Sequence, residues 1–104
     1  SNESFASVKG VETPPPPEQD VNVRKLTETL RGENIESLVK IAKEHKVDND
    51  KLIELSENLR GNVAAVTGTN KERKEMIDNL RKEWKNTVID LIIEKAIEKG
   101  EVET

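Results

Sequence analysis

From Thr69 to Gly100 the chain reads as one long helix, and the residues before it have to supply that helix with partners. Thr69-Asn70-Lys71-Glu72 has the form of a capping box, in which the Thr hydroxyl and the Glu carboxylate each satisfy a backbone N–H that the helix start leaves over. Gly100 stands where a left-handed terminating residue is wanted. Between these ends Met76, Ile77, Leu80, Trp84, Val88, Leu91 and Ile92 recur at steps of three and four, the spacing of an apolar helix stripe. Such a helix is about 45 Å long. Past Trp84 the stripe widens: Val88, Ile89, Leu91, Ile92, Ile93, Ala96 and Ile97 cover more than one face, so several neighbours have to pack around this half.

Composition bounds those neighbours. The chain has 104 residues, enough for one small domain. It is 37% charged and only 2% aromatic, which leaves Leu, Ile and Val to build the core of a helical protein. Of the net charge of −4, residues 1–20 carry three units, Lys9 against Glu3, Glu12, Glu18 and Asp20. The near-neutral remainder speaks against non-specific nucleic-acid binding, which needs a basic surface, though a local basic face is compatible with it. There is no Cys, hence no disulfide framework and no thiolate metal site. No apolar run approaches the ~18 residues of a membrane span, and an intracellular protein is expected.

Residues 1–20 lack periodic apolar spacing and run into Pro14-Pro15-Pro16-Pro17, so they are expected to form a disordered Pro-rich tail or linker. A first helix is predicted from about Asp20 to Arg31, with Val23, Leu26 and Leu30 on one face and Gly32 as its stop. A second, roughly Asn34 to Lys46, brings Ile35, Leu38, Val39 and Ala42 together, with Asn34 as its cap. Asp48 starts a third, carrying Leu52, Ile53, Leu55 and Leu59, and Val47 can staple onto Leu52. A break is predicted near Arg60-Gly61-Asn62, because Gly inside a helix costs about 1 kcal/mol relative to Ala. A short turn with Val63 and Val66 then leads to Thr67-Gly68. The expected fold is all-α: a compact four- to five-helix bundle over residues 21–100, with a long C-terminal helix and a disordered end at 101–104. Its expected core is Leu26, Leu38, Leu52, Leu59, Val63, Leu80, Trp84, Val88 and Leu91.

Residues 21–93 resemble, in order and spacing, the N-terminal (LW) domain family of transcription elongation factor TFIIS, which includes elongin A, a Mediator subunit and the integrase-binding domain of LEDGF. The resemblance runs through Val23-Arg24-Lys25-Leu26, Ile35-Glu36-Ser37-Leu38-Val39-Lys40 and Val47 with Lys51-Leu52-Ile53. Leu59-Arg60-Gly61-Asn62-Val63 is similar to the family's Ile-Gly-x-x-Val turn, with the Gly one position closer to the Val. Leu80-Arg81-Lys82-Glu83-Trp84-Lys85 carries the Leu and Trp, four apart, that name the domain.

The resemblance implies a nuclear, non-catalytic protein-interaction domain, a monomer that docks short acidic-hydrophobic motifs from disordered segments of transcription elongation proteins, with the RNA polymerase II machinery as a further candidate partner. Carried over from the LEDGF-like members, the docking rim falls on two interhelical loops, Arg31, Glu33 and Asn34 on one and Val66, Thr69 and Lys71 on the other. A shallow apolar groove rimmed by cations suits such a peptide.

The residues themselves point the same way on catalysis. His45 is the only His and there is no Cys, so only carboxylates and a Lys are left as catalytic candidates; the Asp and Glu are spread along solvated helix faces without a convergent acidic cluster or a metal-ligand constellation. No Gly-rich phosphate loop occurs. No enzyme, metal or cofactor is expected. Lys71, Arg73, Lys74, Arg81, Lys82 and Lys85 make the first half of the long helix basic, with Glu72, Glu75 and Glu83 interspersed. Two other classes stay open: a helical bundle of a cytoskeletal or adhesion-type scaffold, and a weak nucleic-acid-binding helical domain.

Overall fold

A computed structural model describes residues 18–102, which form four α-helices and no strand: α1 (Glu18–Arg31), α2 (Ile35–Glu44), α3 (Asn49–Ala65) and α4 (Asn70–Glu98). The expected tail up to Pro17, with Phe5 and the four prolines, lies outside the described residues, as do the last two residues. The first helix begins at Glu18 rather than Asp20, directly after Pro17.

The helix starts follow their side chains. Asn34 Oδ1 accepts the Ser37 N–H at 2.8 Å, and Asp48 Oδ1 accepts the Asp50 N–H at 3.4 Å. At α4 the capping box is complete: Thr69 Oγ1 accepts from Glu72 N at 3.1 Å, and Glu72 Oε1 accepts from Thr69 N at 2.9 Å. Gly68, at φ +115°, makes room for it, since a Cβ there would stand 2.7 Å from Glu72 Oε1.

Two helices end in one way. After α4, Gly100 takes a left-handed φ of +73°, its N–H reaches Ile97 O at 3.0 Å and the Glu101 N–H reaches Ala96 O at 2.8 Å. That pair of bonds closes a Schellman motif and pins Glu101, beyond the expected end of the ordered part. After α2 the same pair runs from Lys46 to Lys43 O and from Val47 to Ala42 O, both 3.0 Å. Here the left-handed residue is Lys46, at φ +66°, so the predicted helix stops two residues short of Lys46. The turn drives Val47 into the core, where it is 6% exposed.

The predicted break at Gly61 does not occur, and with it goes the separate fifth turn. The physical reason is that the apolar series Leu52, Leu55, Leu59, Val63, Val66 keeps its three-and-four spacing straight through the glycine. Gly61 stays at negative φ with open space where a Cβ would be, so only the modest helix penalty of glycine applies. The stretch likened to the Ile-Gly-x-x-Val turn is therefore continuous helix.

α1, α2 and α3 each pack chiefly against α4. Leu38, Val88 and Ile92 are fully buried, joined by Leu30, Ala42, Val47, Leu52, Trp84 and Ile89. Of the expected core, Leu38, Leu52, Trp84 and Val88 are buried, and Leu26, Leu59 and Leu91 pack on its margin. Val63 and Leu80 are only half-buried. Leu80 lies where α4 faces α3 across an open groove. The widened half of α4 does sit among three neighbours, with Val88, Ile89, Ile92 and Ala96 all buried.

Candidate functional site

The first half of α4 is where surface is left over. From Asn70 to Glu83 no residue is buried; Ile77 and Leu80 are half-buried and the rest are exposed. Because side chains three and four apart share a helix edge, this segment presents two different edges, one toward α1 and one toward α3.

The edge toward α1 carries Asp78, Arg81, Lys82, Lys85 and Asn86 above Ile89. With Arg31 at the end of α1 they enclose a cleft of about 340 Å³. Asn70, Arg73, Lys74 and Ile77 continue it toward the start of α4. Several of these charges are already engaged. Lys74 Nζ pairs with Asp78 Oδ2 at 3.1 Å, and the Arg73 guanidinium donates to Gly68 O and to Asn70 Oδ1. Lys85 Nζ donates to Arg31 O at 3.1 Å, closing the end of α1 against α4. Among the described residues, Arg31, Arg81, Lys82 and Lys85 have no acidic partner within salt-bridge distance. The cleft thus has an isoleucine at its base, four cations without an acid partner among the described residues and one carboxylate already paired.

The edge toward α3 is different. Met76, Asn79, Leu80 and Glu83 face Asn62, Ala65, Val66 and Thr67 across a groove of about 590 Å³. The groove continues past Leu55, Asn58 and Leu59 on α3 and Trp84 and Thr87 on α4. Met76 is 46% exposed. Trp84, which walls the groove, is 5% exposed, and its indole Nε1–H finds no acceptor among the described residues. A buried donor left unsatisfied costs on the order of 1–3 kcal/mol.

Of the six residues predicted as a docking rim, three stand on these edges and three are taken up by turns and caps. Arg31 lines the basic cleft. Glu33 is half-buried and its N–H closes the turn onto Leu30 O at 3.0 Å. Asn34 and Thr69 are occupied as helix caps. Val66, the C-cap of α3, lines the α3 groove. Lys71, exposed in the first turn of α4, stands on the edge of Asp78, Lys82 and Lys85. Roughly 24 Å of helix separates Thr69 from Lys85, the level of the first loop, so the two loops do not frame one notch. Arg81, Lys82, Lys85 and Ile89 join Arg31 instead; their three-and-four spacing was the available signal.

At the far end of α4 a second lysine repeats the role of Lys85: Lys99 Nζ donates to His45 O at 2.9 Å, closing α2. His45 Nδ1 lies 2.9 Å from Glu101 Oε1, without the alignment of a hydrogen bond. Hydrogen bonds from the Thr69 backbone and side chain hold the Glu72 carboxyl below its ordinary 4.5. No helix is long and apolar enough to cross a membrane among the described residues. No family model, curated protein or solved structure matches the chain.

Proposed function

We propose that this domain is a non-catalytic docking module of a transcription elongation-associated factor, acting in the nucleus, that holds short acidic-hydrophobic motifs of disordered partners in the cleft between α1 and α4. The observation that carries the reading is the cleft itself: Arg31, Arg81, Lys82 and Lys85 line it without acidic partners among the described residues. An extended peptide that lays its apolar side chains along the aliphatic stems of Arg81, Lys82 and Lys85 and sets carboxylates against the two guanidinium groups matches this arrangement. The transcriptional assignment follows from the resemblance, in order and spacing, to the TFIIS N-terminal family. Docking with the bundle closed is favoured over a releasable cytoskeletal helix because Val88, Ile92 and Ala96 are fully enclosed, and freeing α4 would expose them all.

Amide-shift mapping with a short peptide of Asp, Glu, Leu and Phe tests it. Shifts are expected at Arg31 and from Asp78 to Ile89, weakening with added salt and lost in Arg81→Glu. No shifts there at millimolar peptide would remove the site. Equal or stronger binding of a short RNA or DNA duplex at the same residues would favour phosphate recognition instead.

A further inference from the structure

The charges of α4 are sorted by edge. Met76, Leu80, Glu83, Thr87, Asp90 and Glu94 recur at steps of three and four, so they form one line down the helix. Every charge on that line is acidic. Its upper part, Met76, Leu80, Glu83 and Thr87, is one wall of the groove against α3. The opposite wall contributes Leu55, Leu59 and Val66, with the carboxamides of Asn58 and Asn62 and no charge at all. The groove therefore has an apolar floor, amide rims that can bond a peptide backbone, and a carboxylate edge. It has the opposite sign from the basic cleft on the other side of the same helix.

We infer that the α3–α4 groove is a second docking surface, and that its occupant is a basic amphipathic segment of another protein. Leu or similar side chains of that segment lie on Leu55, Leu59, Leu80 and Met76, and its Lys or Arg side chains reach Glu83 and Asp90. The reasoning is charge complementarity combined with accessible apolar surface. An acidic segment of the kind assigned to the basic cleft is repelled here, since Glu83 projects into the groove with no cation lining it. The domain can then hold two partners of opposite charge at once, with α4 as the wall between them. This site stands apart from the basic cleft, and either can fail without the other.

The probe is a synthetic amphipathic peptide of Lys and Leu, with a Glu and Leu peptide of the same pattern as its counterpart, titrated into the full chain. Trp84 is the only tryptophan and walls the groove, so its indole N–H resonance and its fluorescence report occupancy directly. The Lys–Leu peptide is expected to shift the indole resonance and the amides of Leu55–Asn62 and Met76–Thr87. Glu83→Lys should weaken it by about tenfold, by replacing attraction with like-charge repulsion. Met76→Lys, at an exposed position, should weaken it comparably. Glu75→Lys makes the same charge change on the same helix at a position that does not line the groove and should leave affinity within about twofold. Equal loss in Glu75→Lys and Glu83→Lys would reduce the binding to general attraction and overturn the inference. So would shifts that avoid the groove, or a Glu–Leu peptide that binds there as well. Groove shifts that depend on protein concentration without peptide would seat a second copy there instead. Groove shifts on deletion of residues 1–17 would seat the chain's own N-terminal segment.

Discussion

Trp84 holds the centre of α4 against α3, yet its one polar side-chain atom has no acceptor among the described residues. Two substitutions separate the ring from the N–H. A nearly enclosed tryptophan withdraws about 200 Å² from water, so Trp84→Ala loses most of that burial and leaves a void, a cost of about 3–5 kcal/mol. A domain this small is stable by roughly 5–10 kcal/mol, so the variant sits close to unfolding. Trp84→Phe keeps a six-membered ring in the same place. It loses some packing, on the order of 1–2 kcal/mol, but also removes a buried donor whose isolation costs about 1–3 kcal/mol. The two terms offset, and Trp84→Phe should lie within about 1.5 kcal/mol of the parent. Urea unfolding followed by far-ultraviolet circular dichroism measures both, since neither variant retains the tryptophan signal. If Trp84→Phe proves as costly as Trp84→Ala, the indole N–H is satisfied in solution and the account of this ring is wrong. A Trp84→Ala protein with parental stability would remove the ring from the core altogether.

Two further outcomes follow from the helix ends. Glu72 is held below its ordinary 4.5, so its contribution is in full force above that value and is lost as pH falls through its lower folded value. Amide exchange from Thr69 to Arg73 should therefore accelerate in acid, and Glu72→Gln should flatten that dependence; an unchanged acid profile in the Gln variant would detach the carboxylate from it. At the end of α2, Lys46 holds a left-handed conformation at φ +66° that glycine adopts without strain. Lys46→Gly should gain about 0.5 kcal/mol after the looser unfolded chain is counted, raising Tm by roughly 2–4 °C, and a fall in Tm would show that the lysine side chain contributes more than the strain costs.

Much of the fold was readable from side chains that act locally. Asn34, Asp48 and Thr69 begin their helices because their oxygens reach N–H groups two or three residues ahead, which depends on nothing distant. Gly61 misled for a related reason: its local penalty is real but small, and the unbroken apolar series on α3 outweighs it. Lys46 was not foreseen as a left-handed residue, because only the burial of Val47 makes that turn worthwhile. The candidate site was the least legible part. Read linearly, Glu72, Glu75 and Glu83 seem to neutralise the lysines and arginines around them. On the helix Glu83 turns toward α3 while Arg81, Lys82 and Lys85 turn toward α1. Applying the helical period to charge as well as to apolarity separates those edges. Which neighbour each edge meets was beyond the sequence, because that depends on how α1 and α3 are placed around α4.

The lysines at 85 and 99 make α4 a ruler for the helices it supports. Each holds a carbonyl at the end of a different helix, Arg31 O in the last residue of α1 and His45 O just after α2, so the distance between those two ends is written into the spacing between two side chains on one rod. A single residue inserted between them would turn Lys99 by about 100° relative to Lys85 and lengthen the gap by about 1.5 Å. One latch would then point away from its helix, while the apolar core on that stretch slipped out of phase with it. The segment from Lys85 to Lys99 is for that reason the part of this chain least able to change its length, whereas residues added at the α3–α4 turn would leave both latches engaged.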